Sequence, residues 1–91
     1  MSWTIYILYS EKDKKLYVGC TTDIKDRFER HSKGYVPATS YRRPLTLIHT
    51  ETFPDKAQAF QRERFLKSLW GAREKKKIKD KFVLAAKPDT V

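Results

Sequence analysis

The chain has 91 residues, of which 40% are apolar and 34% charged, which is typical of one folded domain rather than of a disordered chain. Its apolar runs are too short for a helix that crosses a bilayer, and a single cysteine, Cys20, excludes an internal disulfide. Lys and Arg outnumber Asp and Glu by 20 to 11, so the expected partner is a polyanion, of which nucleic acid is the commonest. A solvated lysine-rich surface would also explain the charge.

The predicted elements follow one another in the order ββαβαα. Trp3–Tyr9 has apolar residues on both faces, which is typical of a central strand. Asp23 or Thr22 is a suitable N-cap for the first helix, and Gly34 suits the left-handed position just past its end. The predicted strands are residues 3–9, 16–20 and 45–52, and the predicted helices are residues 23–33, 55–70 and 72–84. A turn is predicted at residues 11–15 and a loop at residues 35–44.

These elements predict an α+β domain: a small three-stranded, mainly antiparallel sheet flanked by helices. We expect the domain to occupy residues 1–84 and residues 85–91 to form a flexible C-terminal tail. The first ten residues, MSWTIYILYS, have neither the basic segment nor the cleavage site of a secretory signal. We therefore expect a cytoplasmic monomer with no membrane association.

The second helix contains a residue that breaks its apolar pattern. At about 100° per residue, one stripe of this helix consists of Ala59, Glu63, Leu66 and Trp70. Glu63 thus lies on the face that should be buried, where a carboxylate is costly unless it is paired or bound to a metal. The pattern leaves both interpretations open: a salt bridge to a basic neighbour, or a metal-binding or catalytic group.

Polar side chains also interrupt the hairpin and the first helix. His31 lies on the inward stripe of that helix with Arg27 on its flank, although a lone buried histidine is more often a core residue than a catalytic one. Tyr6 and Tyr17 are most simply sheet aromatics, but on one face of the hairpin their hydroxyls could converge. Gly19 would leave room there for the close approach of a ligand or of backbone.

Two basic segments could bind nucleic acid. Arg42 and Arg43 follow Tyr41 on a predicted loop, and arginine beside an aromatic side chain can hold phosphates and stack on bases. The run REKKKIKDK, residues 73–81, could do the same or form a solvated helix face. The cysteine and histidines lack the paired spacing of a structural zinc site.

These features together resemble the GIY-YIG nuclease superfamily. The family is named for two short triplets on a β-hairpin, which read TIY at residues 4–6 and YVG at residues 17–19 here. Arg27 and His31 on the next helix and Glu63 on a later one match the same pattern. The stretch YRRPLTLIHTETFPDKAQAFQRERFLK resembles the small stand-alone bacterial branch of the superfamily.

The resemblance implies an endonuclease that hydrolyses phosphodiester bonds, in DNA rather than RNA, with one divalent cation, Mg²⁺ or Mn²⁺. Branched or damaged DNA, in repair or recombination, is the implied substrate. Glu63 would ligate the metal, Arg27 would bind the phosphate, and a tyrosine assisted by His31 would orient or deprotonate the attacking water. The implied catalytic residues are Tyr6, Tyr17, Arg27, His31 and Glu63, and Lys67 would contact the substrate backbone. With the loop residues Tyr41, Arg42 and Arg43, Lys67 completes the predicted nucleic-acid contacts.

The chain departs from the family pattern in two places. Thr4 replaces the first glycine of the name, which leaves the tyrosine of that triplet intact. Many members carry a late asparagine in the site, whereas this chain contains no asparagine. The second departure favours an alternative function, a non-catalytic nucleic-acid-binding protein that retains the fold.

Overall fold

The computed structural model describes residues 2–86. The strands are β1 (Trp3–Ser10), β2 (Leu16–Thr21) and β3 (Leu45–Phe53), and the helices are α1 (Ile24–Ser32), α2 (Pro37–Ser40), α3 (Lys56–Lys67) and α4 (Ala72–Ala86), with a 3₁₀ turn at Leu69–Gly71. The strand order is β2-β1-β3, and both neighbouring pairs are antiparallel. The predicted α+β architecture, with β1 at the centre of the sheet, is confirmed.

The side chains of β1 alternate between the two faces of the sheet. Ile5 and Ile7 are fully buried and pack in one core with Ala59 and Leu66 of α3, and each such burial contributes about 1.5–3 kcal/mol. Tyr6 lies between the two isoleucines and therefore points to the opposite face. The candidate site is built around this tyrosine.

The helices begin and end at capping residues that the sequence indicates. The Asp23 carboxylate accepts a hydrogen bond from the Asp26 amide at 3.0 Å, and Asp55 caps α3 in the same way, accepting from the Gln58 amide at 2.8 Å. Such a cap contributes about 1 kcal/mol. Gly34, just past α1, has a φ of 82°, as predicted. The caps fix where α1 and α3 start against the sheet.

The end of α3 differs from the prediction. At Ser68 the backbone leaves the helix with a ψ of 170°, and the Ser68 hydroxyl donates to the Phe65 carbonyl at 2.6 Å. Gly71 packs so closely on the Phe65 carbonyl that a side chain there would overlap it. Because the 3₁₀ turn redirects the chain, the prediction that Trp70 lies on the buried stripe is wrong: this side chain is exposed.

Two other boundaries also differ. The predicted loop at 35–44 contains the short helix α2, which begins at Pro37, a residue favoured in the first turn of a helix. Helix α4 continues through Ala86, and residues 87–91 of the predicted tail lie outside the described residues. Within residues 2–86, no helix has both the length and the apolar character needed to cross a membrane.

A half-buried ion cluster fixes α4 against the rest of the domain. The Arg62 guanidinium of α3 donates from Nε to Glu51 of β3 at 2.7 Å and also pairs with Glu74 of α4. His49 lies 2.7 Å from the same Glu51 carboxylate. Burial raises the pKa of Glu51, but its hydrogen bonds from Arg62 and His49 outweigh burial and lower the pKa overall. One arginine therefore joins α3, β3 and α4.

Candidate active site

The ring of Tyr6 lies directly over Gly19 on the neighbouring strand. The two residues are paired in the β1–β2 register, and β2 is one of the two edge strands of the sheet. A methyl group on Gly19 would overlap the Cζ atom and the hydroxyl of Tyr6 and would lie 2.8 Å from Cε1. The glycine of the second triplet therefore provides the space in which the tyrosine of the first triplet lies.

The Tyr6 hydroxyl belongs to a buried hydrogen-bond network. It lies 2.9 Å from Nε2 of His31 on α1, and Nδ1 of the same imidazole lies 2.7 Å from the hydroxyl of Thr39 on α2. All three residues are 0% exposed. A neutral imidazole has one donor and one acceptor nitrogen, and here both have a partner. Since unpaired buried polar groups are costly, the network stabilises one orientation of the imidazole and of the Tyr6 ring.

Tyr17 completes an aromatic cluster with these residues. It lies opposite Leu8 in the β1–β2 register and therefore on the same face as Tyr6. Its ring centroid is 6.4 Å from that of Tyr6 and 5.2 Å from that of His31. Unlike those two side chains, Tyr17 is only half-buried. Of the two tyrosines in the triplets, Tyr17 is the one with surface that a substrate can reach.

Charged groups from two helices lie near the Tyr6 hydroxyl. Burial raises the pKa of Tyr6 to about 12, the neighbouring Tyr17 adds to the rise, and Glu63 contributes further. The Arg27 guanidinium acts in the opposite direction but does not outweigh burial. Tyr6 is therefore protonated at neutral pH, and this arginine does not turn it into a base in the free protein. The charges of Arg27 on α1 and Glu63 on α3 thus both act on the Tyr6 hydroxyl.

His31 is neutral at pH 7. Burial, and then the positive charge of Arg27, lower the pKa of His31 below its ordinary value. Because the imidazole is also fully buried, it does not meet solvent or a substrate directly. The predicted inward position of His31 is confirmed, and its hydrogen-bond partners are the hydroxyls of Tyr6 and Thr39.

The structure shows one of the two interpretations of Glu63 that the sequence leaves open, a salt bridge to a basic neighbour, and the metal-binding one stays a prediction. Its carboxylate lies 3.2 Å from the ammonium of Lys67 one turn later, and its side chain is 22% exposed, whereas that of Lys67 is 53% exposed. Glu63 is therefore half-buried rather than enclosed in the core. Burial raises the pKa of the Cys20 thiol on β2, and Glu63 raises it further. The carboxylate thus lies near the edge strand that carries Gly19.

The donor set around Glu63 can be compared with what different metals require. Within residues 2–86, no three His, Cys, Asp or Glu side chains form a group that could hold a metal ion. This does not fit structural zinc, which takes four protein ligands. A single accessible carboxylate fits Mg²⁺ or Mn²⁺, because such ions keep several waters and use phosphate oxygens of the substrate as further ligands.

The residues predicted to contact nucleic acid differ in their hydrogen bonds within the protein and in their exposure. Arg42 donates from Nε to the Asp13 carboxylate at 2.7 Å, 29 residues away in the chain, so binding a phosphate would compete with this ion pair. The hydrogen bond from Arg42 outweighs burial and holds the pKa of Asp13 well below its usual range. Arg43 is exposed and donates to the Ser40 carbonyl at 2.9 Å, and Tyr41 is exposed as well.

Sequence reasoning did not identify two residues near the site. Thr39 meets His31 across eight residues of chain, from a segment that was predicted to be a loop. No periodic pattern marks this contact, although Pro37 signals the start of the short helix. Cys20 is partly exposed on β2, and the charge of Glu63 acts on its thiol.

Comparison with known proteins extends over most of the chain. The GIY-YIG catalytic domain matches residues 2–79. A UPF0213 protein of Natronomonas pharaonis is 39% identical over 77 residues, which cover 84% of this chain and 89% of that protein. YazA, a UPF0213 protein of Bacillus subtilis, is 38% identical over 68 residues, or 74% of this chain and 67% of YazA.

A solved structure is also similar. The solution NMR structure of a UPF0213 protein from Bacillus halodurans aligns over 100% of both chains with a TM-score of 0.57 and 29% sequence identity. The sequence relatives and this structure all bear the UPF0213 name, which states no activity.

Proposed function

The chain belongs to the GIY-YIG catalytic domain family, and from this premise we propose that it is a divalent-metal-dependent endonuclease that hydrolyses phosphodiester bonds in DNA. The family is one of nucleases, which act on nucleic acid and generally use a divalent metal. One observation carries the proposal, the set of groups that act on the Tyr6 hydroxyl. His31 of α1 lies within hydrogen-bond distance of it, and the charges of Arg27 on α1 and Glu63 on α3 both act on it. Branched or damaged DNA, in repair or recombination, is the substrate we propose.

Arg27 is the proposed phosphate-binding group. It is half-buried on α1, and its positive charge acts on both Tyr6 and His31. A guanidinium holds a phosphate through two parallel hydrogen bonds and offsets the negative charge that grows in the transition state. Its partly desolvated position strengthens that interaction relative to a fully exposed arginine.

Glu63 is the proposed metal ligand. Bound there, Mg²⁺ or Mn²⁺ would supply Lewis-acid stabilisation of charge on the scissile phosphate. The carboxylate now pairs with Lys67, whose side chain is 53% exposed, so the lysine can turn away at little cost. Released in this way, Lys67 is suitably positioned to contact a phosphate of the substrate backbone.

The two triplet tyrosines take different roles in this proposal. Tyr17 is half-buried and can meet the attacking water or the phosphate. Tyr6 is fully buried and hydrogen-bonded to His31, so we assign it, with His31 and Thr39, to positioning. The network orients the Tyr6 ring, and the ring contacts Tyr17 at a centroid separation of 6.4 Å.

A second function has a specific observation in its favour. The chain contains no asparagine, and the Glu63 carboxylate already has a partner in Lys67. A protein that binds nucleic acid without cutting it would need only the basic surface that the net charge of +9 provides. The two functions differ in whether the wild-type protein cleaves nucleic acid and whether that cleavage depends on the charge of Glu63.

Nicking of supercoiled plasmid and of branched oligonucleotides tests the proposal. We expect wild-type protein to cut with Mg²⁺ or Mn²⁺, to stop with EDTA, and to lose cleavage on Glu63→Gln. Glu29→Gln is the matched control, because Glu29 forms the same type of pair, 2.7 Å from Lys33 one turn later, on the exposed face of α1. If wild-type protein binds these substrates but cuts none of them with either metal, the binding function replaces the nuclease.

A further inference from the structure

Two large apolar side chains stand next to each other, almost free of contact, in the turn between α3 and α4. Leu69 is 93% exposed and Trp70 is 84% exposed. Isolated exposed apolar residues are ordinary on a protein surface. An indole and a neighbouring leucine that are both nearly fully exposed to water form an apolar surface that a ligand can bury.

The backbone holds this pair outward through tight packing. The Gly71 amide donates to the Ser68 carbonyl at 3.2 Å, and the Ser68 hydroxyl donates to the Phe65 carbonyl. A Cβ on Gly71 would overlap that same carbonyl and the Cα of Leu66. Because the turn fits so closely against the end of α3, the backbone position of Trp70 is set by the fold, and only its side-chain torsions have to be ordered when a ligand meets it.

The surroundings of the pair are basic. Arg64 and Lys67 precede it and Arg73 follows it. Among residues 2–86, no carboxylate lies within ion-pair distance of Arg64 or Arg73. Lys67 has a carboxylate partner at 3.2 Å, but its side chain is 53% exposed, so it can exchange this partner for a phosphate at little cost. The acidic residue that follows, Glu74, is already paired with Arg62. A ligand of this surface therefore has both an anionic part and a flat apolar part.

We propose that Trp70, flanked by Leu69, is a stacking platform for an unpaired base of a nucleic-acid strand whose phosphates are held by Lys67 and Arg73. A nucleotide has both parts that the surface requires, a phosphate and a planar ring. Only an unpaired base has a face free to stack, since both faces are covered inside a duplex. The proposal rests on the proposed nuclease function and adds a substrate preference: strands with unpaired bases over unbroken duplex.

Fluorescence of Trp70 tests the proposal without any cleavage. Trp3→Phe leaves Trp70 as the single tryptophan of the chain, and EDTA in the buffer prevents hydrolysis. The protein is titrated with a single-stranded oligothymidylate, with an abasic oligonucleotide of the same length and with a duplex. We expect the base-bearing strand to quench the emission and the abasic strand to bind with little quenching.

Affinity measurements on variants provide a second readout that does not depend on Trp3→Phe. Trp70→Ala should weaken binding of the base-bearing strand by about 5- to 100-fold and leave binding of the abasic strand unchanged, and Trp70→Phe should restore part of the loss. Leu84→Ala is the matched control, because Leu84 is also an exposed apolar residue, 69% accessible, on α4. Its affinity should equal that of the wild type.

Three results would overturn the platform. If Trp70→Ala has no effect while binding remains strong and salt-dependent, the platform is wrong and the proposed nuclease function stands. If no oligonucleotide binds even at low salt, both fail together. If the protein sediments as a dimer that Trp70→Ala dissociates, the pair is a contact between two copies of the chain instead.

Discussion

Gly19→Ala should disturb the candidate site through one identified clash. The added methyl group would overlap the Cζ atom and the hydroxyl of Tyr6 and would stand 2.8 Å from Cε1, whereas carbon atoms in contact are about 3.5–4.0 Å apart. The ring would therefore have to move by about 1 Å or more. It is fully buried, and it is flanked by Tyr17 and hydrogen-bonded to His31 at 2.9 Å.

The expected cost follows from these contacts. Overpacking of a buried site costs about 1–3 kcal/mol. If the displaced ring also loses its hydrogen bond to His31, the unpaired buried group adds about 1–3 kcal/mol. We therefore expect Gly19→Ala to lower the free energy of unfolding by about 2–6 kcal/mol, together with a loss of cleavage.

Urea unfolding of a double-mutant cycle with Tyr6→Leu measures this effect. Tyr6→Leu is destabilising by itself, but it removes the ring atoms that the methyl group would meet. In that background Gly19→Ala should cost much less, which gives a coupling energy of about 1–3 kcal/mol. If Gly19→Ala costs the same with and without the Tyr6 ring, the clash is not the cause and the reasoning is refuted.

Two further predictions concern the buried network. His31 Nδ1 lies 2.7 Å from the Thr39 hydroxyl, and Thr39→Val removes this partner. The free energy of unfolding in urea should fall by about 1–3 kcal/mol. Thr39→Ser should retain most of the stability, and equal losses in the two variants would contradict the role of the hydroxyl. The pKa of His31 is lowered from its ordinary value of 6.5 in the folded state. Below pH 6.5 the unfolded chain therefore binds more protons than the folded protein at this residue. The stability that His31 contributes is fully present above pH 6.5 and should decline as the pH falls towards the pKa of the folded state. Urea midpoints between pH 5 and 7.5 should show this slope in the wild type and a smaller one in His31→Gln; identical slopes would show that another group titrates.

Local signals were sufficient to predict much of the fold. The apolar faces of residues 3–9 predicted a central strand, and the structure has β1 between two antiparallel neighbours. Asp23 and Gly34 bracket α1 as their types indicate. In each case the physical cause lies within a few residues of the feature, which is why the sequence alone reveals it.

The depth of burial and the long-range partners could not be predicted in this way. Alternation gives the face on which Tyr6 lies, but not that α1 and α2 leave it without any exposed surface. The contact between His31 and Thr39 and the ion pair between Arg42 and Asp13 join separate segments. These contacts form only when the helices pack on the sheet, and the local hydrophobic periodicity of the sequence does not predict that packing.

The end of α3 shows how one misplaced boundary changes a functional interpretation. Continued helical periodicity would bury Trp70, but Ser68 ends the helix and the following 3₁₀ turn exposes the indole. Glycine is a poor helix former, but the close packing of Gly71 on the end of α3 is a tertiary effect. An apparent core residue thus becomes a candidate contact for substrate.

The central claim is that Glu63 acts in the cleavage step rather than in binding. Single-turnover cleavage of a branched DNA by saturating protein, with affinity measured in the same Mg²⁺-containing buffer, separates the two. We predict that Glu63→Gln lowers the cleavage rate by about 100-fold or more while the Kd stays within about threefold of the wild type, and that Glu29→Gln changes neither. A Glu63→Gln protein that cuts at the wild-type rate once saturated with DNA would contradict the claim.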